Sequence, residues 1–195
     1  MISAILLAAG ESKRMGQPKQ LLPFRGSTLL GQIVENLLQS QAAETIVVLG
    51  SQAEKIIPQI AGEPVRIVVN QEFEQGMSSS IKCGLSHISE VADGVMIVLG
   101  DQPLIEKETI DLLIERHRQS ERGIILPVYN GIRGHPVIFA MKYKDELMRL
   151  TGDIGGKQIV ERHPSDVLEV EVDSESVVIS IDAESDYQSL VGKQI

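Results

Sequence analysis

Residues 3–19 read Ser-Ala-Ile-Leu-Leu-Ala-Ala-Gly-Glu-Ser-Lys-Arg-Met-Gly-Gln-Pro-Lys, an apolar run followed at once by a glycine-bracketed basic loop. The apolar half predicts a buried β-strand. Gly10 and Gly16 allow backbone N–H groups to face inward, and hydroxyl and basic side chains supply the hydrogen bonds and charge that phosphate oxygens attract. Those side chains are Ser12, Lys13, Arg14 and Lys19. The stretch therefore predicts a polyphosphate-binding loop after the first strand.

The spacing of this loop excludes two common glycine-rich motifs. Five residues separate Gly10 from Gly16, whereas a Walker A loop has four, and Lys19 stands three places beyond Gly16 instead of next to it. The dinucleotide pattern G-x-G-x-x-G is also absent. The alternative interpretation is a flexible, solvated turn that carries basic residues.

The rest of the chain alternates strand and helix patterns. The predicted strands are residues 3–8, 45–49, 65–69, 95–99, 124–128, 137–139, 167–172 and 177–181. The apolar spacing over residues 29–38 predicts a helix, and strands that alternate with helices favour a parallel sheet covered on both faces. After Tyr129, glycine-rich loops separate short strands. We therefore expect one α/β domain over residues 1–195, with a doubly wound, mostly parallel sheet and a small antiparallel addition in the C-terminal third.

Composition narrows the function classes. The 195 residues carry a formal net charge of −9, which argues against nucleic acid as a partner because duplex binding depends on neutralising phosphates. One cysteine, Cys83, excludes an internal disulfide, and the Cys and His spacing offers no zinc site. No apolar run approaches the ~20 residues that span a bilayer. We expect a cytoplasmic protein without a membrane partner.

Asp101 follows the continuous apolar run 95–99 after one residue, Gly100, and precedes Gln102-Pro103. Because ligands of open parallel sheets bind at the carboxyl ends of strands, Asp101 and the glycine loop should meet at one edge. A carboxylate there suits Mg²⁺, which takes one or two protein carboxylates together with phosphate oxygens. The alternative is an aspartate that caps a turn before proline.

Four motifs in order resemble the MobA-like nucleotidyltransferases. The first is the loop itself, which continues through Leu21-Leu22-Pro23 and matches L-A-A/G-G-x-S-x-R-M-G-x-x-K-x-L-L. The other three are Gly100-Asp101-Gln102-Pro103-Leu104, Gly131-Ile132-Arg133-Gly134-His135-Pro136-Val137 and Gly152-Asp153-Ile154-Gly155-Gly156-Lys157. The set covers essentially the whole chain and is most similar to the molybdenum cofactor cytidylyltransferase branch. It implies a Rossmann-like nucleotidyltransferase fold.

The resemblance also implies roles for individual residues. Nucleotide contacts are expected from Leu7, Ala8, Ala9, Gly10, Ser12, Lys13, Arg14, Lys19, Asn70, Gly76 and Ser80. Arg14, Lys19 and Asp101 are the expected catalytic residues, and Asp101 with Asp182 the expected Mg²⁺ ligands. Arg133, His135, Asp153 and Lys157 are expected to face the second substrate. Two alternatives remain, in which Asp182 caps a helix and the serines around Ser80 cap the helix that follows.

The implied reaction joins CMP from CTP to the terminal phosphate of the molybdopterin–molybdenum cofactor and releases pyrophosphate. CTP is expected instead of GTP because Ala9 stands where the guanylyl branch carries a second glycine, and its methyl leaves less room for a purine. A molybdenum hydroxylase is the expected recipient of the product. Two other functions stay open: nucleotidyl transfer to a sugar- or alditol-phosphate, and a non-catalytic accessory protein that hands the cofactor to a xanthine-dehydrogenase-type enzyme.

Overall fold

The computed structural model describes residues 1–12 and 15–192, and within them an eight-stranded mixed sheet forms the centre. The strands are β1 (Ile2–Ala8), β2 (Pro23–Phe24), β3 (Ser27–Thr28), β4 (Glu44–Leu49), β5 (Arg66–Val69), β6 (Gly94–Leu99), β7 (Ile124–Tyr129), β8 (Ile132–Arg133), β9 (Val137–Ala140) and β10 (Val167–Glu171). The strand order is β10-β7-β9-β6-β1-β4-β5, and β8 pairs with the end of β7. β2 and β3 form a small separate antiparallel sheet.

The pairing confirms a mostly parallel sheet with an antiparallel addition. β1 lies between β4 and β6 and is parallel to both, and β5 is parallel to β4. β9 is antiparallel to β6 and β7, and β8 is antiparallel to β7, whereas β10 returns parallel to β7. The carboxyl ends of β1, β4, β5 and β6 therefore share one edge.

A tight hairpin joins β7 to β8. Its two turn residues, Asn130 and Gly131, have φ angles of +49° and +77°. Two consecutive positive φ angles are typical of a type I′ turn, for which Asn-Gly is the preferred sequence. The hairpin brings the chain back along β7 and directs the segment that contains Arg133 and His135 toward the centre of the sheet.

Helices cover both faces of the sheet. They are α1 (Leu29–Gln39), α2 (Ala53–Ile60), α3 (Met77–Leu85), α4 (Lys107–Gln119), α5 (Lys144–Met148), α6 (Lys157–Arg162) and α7 (Glu184–Gly192). α1, α2 and α4 pack with Ala4, Leu6 and Ala8 of β1 in one apolar cluster, while α3, α5 and α6 pack with Ile5 in a second cluster on the opposite face. Within the described part of the chain, no helix has the length and apolar character needed to cross a membrane.

The predicted strand at residues 177–181 is wrong. A short 3-10 turn (Glu175–Val177) is followed there by irregular chain. Ile181 is buried in a small cluster with Leu22, Phe24 and Leu29, so the apolar residues of this segment pack against the loops near the sheet edge. Residues that favour strands also favour burial. In this segment they are buried or half-buried, but they do not pair with a neighbouring strand.

Gly84 tests the packing of α3 on the sheet. A Cβ at this position would lie 2.4 Å from Cγ2 of Ile5, a fully buried residue at the centre of the sheet. Gly84→Ala should destabilise the protein by about 1–2 kcal/mol, since overpacking costs of ~1–3 kcal/mol exceed the gain in helix propensity. Denaturant unfolding gives the measurement.

Gly192→Ala in α7 is the matched control for Gly84→Ala. A Cβ there meets no atom of the described structure within 4 Å. Its free energy of unfolding should stay within about 0.5 kcal/mol of the wild type. Equal stability of the two variants would contradict the packing described for Gly84.

Candidate active site

The loop after β1 is closed by a buried glutamine. The side chain of Gln20 is 2% exposed and donates hydrogen bonds to the carbonyl oxygens of Ala8 at 3.0 Å and Gly10 at 3.3 Å. The Ser12 hydroxyl donates to Gln20 Oε1 at 3.4 Å and accepts from the Lys19 backbone N–H at 3.1 Å. These bonds fold the loop back on the strand end, and Ser12, expected to contact nucleotide, acts here within the loop.

Gly16 adopts a φ of +65°, a left-handed conformation that favours glycine. The second glycine of the motif is therefore required by the turn itself. Lys13 and Arg14 lie outside the described residues, so their phosphate contacts stay predictions. The basic group that the structure does describe in this motif is Lys19.

Lys19 joins two carboxylates that are 81 positions apart in the chain. Its Nζ lies 3.2 Å from Asp101 Oδ2 and 3.4 Å from Asp182 Oδ1, and it donates to the Ile181 carbonyl oxygen at 3.0 Å. The Lys19 side chain is 16% exposed and that of Asp101 is 24% exposed. Partly buried charges are screened less by salt than exposed charges, so the attraction between Lys19 and Asp101 is only partly screened.

The other oxygen of Asp101 has no hydrogen-bond partner. Oδ1 is buried and unpaired among the described residues. A buried carboxylate oxygen of this kind calls for a cation or a donor, because an unsatisfied buried polar atom is costly. Over residues 1–12 and 15–192, no group of three or more His, Cys, Asp or Glu side chains is arranged to hold a metal. Asp101 and Asp182 thus form at most a two-carboxylate site, which is the number that Mg²⁺ commonly uses beside phosphate oxygens.

The irregular segment at residues 177–182 holds the site together. The Ile181 N–H donates to the Asp101 carbonyl at 2.8 Å, and the His135 N–H donates to the Val177 carbonyl at 2.9 Å. With the bond from Lys19 to Ile181, this one segment binds three loops that come from distant parts of the sequence. Because its backbone N–H and C=O groups form hydrogen bonds with these loops, they do not pair with a neighbouring strand.

Asp182 is oriented by its neighbours. Its Oδ2 accepts a hydrogen bond from the Ser180 hydroxyl at 3.0 Å, while Oδ1 faces Lys19. The carboxylate of Asp186 accepts the N–H groups of Asp182 and Ala183 at 2.9 and 2.8 Å. The N–H groups before α7 are therefore capped by Asp186, and the Asp182 carboxylate points into the cluster.

A cavity of about 220 Å³ lies beside this cluster, at the carboxyl ends of β1 and β6. Its lining comprises Leu7, Ala8, Ala9, Gly10, Lys19, Gln20, Phe73, Gly76, Met77, Ser80, Leu99, Gly100, Asp101 and Asp153. Most residues expected to contact nucleotide meet here. Gln20, Phe73, Met77 and Leu99 were not foreseen, since their patterns are those of ordinary core or turn positions.

Asn70 lies behind this cavity, not in its wall. Its side-chain amide donates to the hydroxyls of Ser79 at 2.8 Å and Ser80 at 3.1 Å, and its Oδ1 accepts from the Glu72 N–H at 2.9 Å. In the structure, Asn70 positions Ser80, which does line the cavity. A direct contact between Asn70 and nucleotide stays a prediction.

Asp153, expected near the second substrate, lines the first cavity instead. Its Oδ1 accepts the Met77 N–H at 3.1 Å at the start of α3. Gly76 has a φ of +94°, and a Cβ there would lie 2.6 Å from the Asp153 nitrogen. Glycine is therefore needed for the two loops to approach, a long-range contact that local sequence does not reveal.

The other three residues expected to face the second substrate meet in a second cavity, of about 550 Å³. Arg133, His135 and Lys157 line its walls, and its apolar lining is formed by Ile97, Leu126, Val137, Phe139 and Val160. Arg133 is paired with Glu169, with Nη2 and Nε at 2.6 and 2.7 Å from Oε1. The Lys157 side chain is 85% exposed.

His135 lies in the wall of the second cavity. Burial lowers its pKa below the usual value, and the negative charge of Asp101 partly opposes this shift. The charge of Asp101, which lines the first cavity, therefore acts on an imidazole that lines the second.

Comparison with known proteins agrees with this arrangement. The family model for the MobA-like NTP transferase domain matches residues 4–167. The nicotine blue oxidoreductase of Paenarthrobacter nicotinovorans is 31% identical over 172 residues, which are 84% of this chain and 83% of that protein. The molybdenum cofactor cytidylyltransferase of Escherichia coli (strain K12) is 27% identical over 187 residues, 95% of this chain and 93% of that protein.

A solved structure shares the fold of this chain. The Rv0371c protein of Mycobacterium tuberculosis H37Rv, in complex with manganese, superposes with a TM-score of 0.84 and 32% identity over 98% of each chain. The family match covers most of the chain and the fold agrees over nearly all of it. The chain therefore belongs to the MobA-like nucleotidyltransferase family.

Proposed function

We infer that the protein transfers CMP from CTP to the terminal phosphate of the molybdopterin–molybdenum cofactor and releases pyrophosphate. The observation that carries this proposal is the cluster of Lys19, Asp101 and Asp182 at the rim of a cavity walled by the glycine loop. The similarity to the E. coli cytidylyltransferase over 95% of the chain supports the choice of substrates.

The first cavity is the proposed CTP site. Gly10 and Lys19 face the triphosphate, and the predicted contacts of Lys13 and Arg14 extend this basic surface. Ser80, held by Asn70, and the loop at Gly76 offer polar groups to the ribose and base. Nucleotidyl transfer needs mainly positioning and charge stabilisation, so cationic side chains beside the α-phosphate are the groups required.

Asp101 and Asp182 are the proposed ligands of Mg²⁺. The buried unpaired Oδ1 of Asp101 and the two facing carboxylates fit a hard divalent cation that takes its remaining ligands from phosphate and water. When bound, the ion neutralises charge on the phosphate oxygens. The manganese in the structure of the M. tuberculosis relative supports divalent metal use in this family.

The second cavity is the proposed acceptor site. Its apolar lining can pack against the ring faces of a pterin, and the exposed Lys157 can meet an anionic group at the edge, while Arg133 is held by Glu169. The acceptor phosphate would enter the first cavity past His135 and attack the α-phosphorus in line with the departing pyrophosphate. The new phosphate–oxygen bond forms as the bond to the β-phosphate breaks, and no covalent enzyme intermediate is needed.

A second candidate is an oxidoreductase activity, favoured by the 31% identity to nicotine blue oxidoreductase. The cluster of Lys19 with two carboxylates argues for the transferase, because hydride transfer needs no divalent cation site. Pyrophosphate release should be measured with CTP, GTP, ATP and UTP against the molybdenum cofactor and sugar- or alditol-phosphates, beside reduction of nicotine blue by NADH or NADPH. Pyrophosphate release that requires CTP and the molybdenum cofactor supports the proposal, and dye reduction without pyrophosphate release contradicts it.

Asp101→Asn should lower kcat for pyrophosphate release by at least about 100-fold, because an amide cannot supply the anionic charge that a hard divalent ion prefers. Lys19→Ala and Arg14→Ala should have effects of similar size, since each removes a cation that is expected to contact the phosphates. Steady-state kinetics and melting temperature should be measured together. Lys19→Ala should also lower stability, because it takes a cation away from two carboxylates. The kcat values should therefore be compared at a temperature at which each variant is folded.

Asp173→Asn, a carboxylate change outside both cavities, is the control and should keep kcat within about twofold. If Asp101→Asn released pyrophosphate at the wild-type rate, the assignment of Asp101 as a metal ligand would be wrong. Wild-type release by Lys19→Ala would remove Lys19 from the reaction.

Ala9 tests the choice of nucleotide. It is buried in the wall of the first cavity. The wild type should favour CTP over GTP in kcat/KM, and Ala9→Gly should narrow the difference, although one methyl group is worth only about 1–3 kcal/mol and cannot reverse the preference. Competition assays with both nucleotides on both proteins give the measurement, and a wild-type preference for GTP would contradict the cytidylyl assignment.

A further inference from the structure

We propose that Lys19 is an internal counter-ion that keeps the divalent cation site closed until the phosphates of a nucleotide draw its ammonium away. This inference rests on the proposed function in one respect, the assignment of Asp101 and Asp182 as metal ligands. It goes further by assigning an order to the binding of metal and nucleotide.

The ammonium of Lys19 is fully hydrogen-bonded where it lies. It contacts Asp101 Oδ2 at 3.2 Å, Asp182 Oδ1 at 3.4 Å and the Ile181 carbonyl oxygen at 3.0 Å. Three acceptors match the three N–H donors of an ammonium group. The contact with both carboxylates is therefore a complete binding arrangement for a cation.

A divalent cation on these carboxylates would be repelled by Lys19. Mg²⁺ binds carboxylate oxygens at roughly 2.1 Å, so even at the unpaired Asp101 Oδ1 it would lie within a few ångströms of the ammonium. The side chain of Lys19 is 16% exposed, so water screens this repulsion only in part. Binding of metal to both carboxylates is therefore disfavoured while the ammonium stays between them.

The glycine loop offers the place to which the ammonium moves. The backbone N–H of Lys19 is bound to Ser12 of the loop, and its side chain lines the cavity together with Gly10. The four-carbon stem of lysine is flexible and its charge compact. Phosphate oxygens bound at the loop are competing anions within reach of the same side chain.

The consequence is positive coupling between nucleotide and metal. A metal ion that binds alone must displace Lys19 from the two carboxylates. When a triphosphate is bound, its oxygens have already drawn the ammonium away, and the metal ion binds without this cost. Because linkage is reciprocal, bound metal strengthens nucleotide binding by the same factor. Lys19 thus ensures that the carboxylates take up the metal together with its nucleotide.

Mn²⁺ titration of the full chain without nucleotide, followed by electron paramagnetic resonance of free Mn²⁺, tests this role. Lys19→Met and Lys19→Gln should each bind Mn²⁺ about tenfold more tightly than the wild type, a typical size for a coupling between sites. Lys19→Arg keeps the positive charge and should bind Mn²⁺ as weakly as the wild type. Lys55→Met removes an exposed cation on α2, so it controls for the change in net charge and should leave Mn²⁺ affinity unchanged.

Asp101→Asn separates the two hypotheses. If it loses Mn²⁺ binding while Lys19→Met and Lys19→Gln bind no more tightly than the wild type, the counter-ion role is wrong and the metal ligands stand. If Asp101→Asn binds Mn²⁺ as the wild type does, the metal assignment fails and the counter-ion role fails with it. Two uncharged replacements of different polarity keep the test valid if one of them does not fold.

Discussion

The ammonium of Lys19 is the interaction on which the site depends. It draws together a carboxylate after β6 and a carboxylate near the end of the chain, on the edge where the first strand ends. Its positive charge offsets the repulsion between Asp101 and Asp182. The geometry of the candidate metal site therefore depends on a residue that closely follows the glycine loop.

The scaffold around this cluster consists of single hydrogen bonds made by irregular chain. Gln20 shapes the glycine loop from inside, and the Ile181 backbone is bound to both Lys19 and Asp101. Asp153 bridges from a distant loop to the start of α3. Since the sheet and its two helical layers fix the ends of all these loops, a few polar bonds are sufficient to hold the side chains of the candidate site in place.

Much of the fold was predictable because the spacing of apolar residues along the chain indicates which segments are strands or helices and which of their residues are buried. The continuous apolar run before Asp101 gave a central strand, whereas the hairpin at Asn130-Gly131 was not predicted, although this sequence is typical of a type I′ turn. Residues 177–181 were misread because an apolar β-rich run packs equally well against loops. The backbone of that segment forms hydrogen bonds with residues of the site that are more than 40 positions away. A local sequence pattern cannot predict such bonds.

For the site, motif and spacing predicted which residues gather, but not what each one contacts. Lys19 was expected to meet phosphate, and its bond to Asp101 is a tertiary contact across 82 positions. Asn70 was expected to contact nucleotide; this stays a prediction, and the contact that the structure shows is the hydrogen bond with which Asn70 positions Ser80. Gln20 was missed because a single amide beside two leucines has no sequence signature. In the structure it is buried, and its side chain holds the glycine loop against the end of β1.

The most direct test is a crystal structure with Mn²⁺ and a CTP analogue that cannot be cleaved at the α-phosphorus. We expect an anomalous manganese peak between Asp101 and Asp182, cytosine in the first cavity beside Ala9, and the Lys19 ammonium on phosphate oxygens. Manganese bound elsewhere, with Lys19 still on the two carboxylates and the nucleotide bound away from the glycine loop, would contradict it.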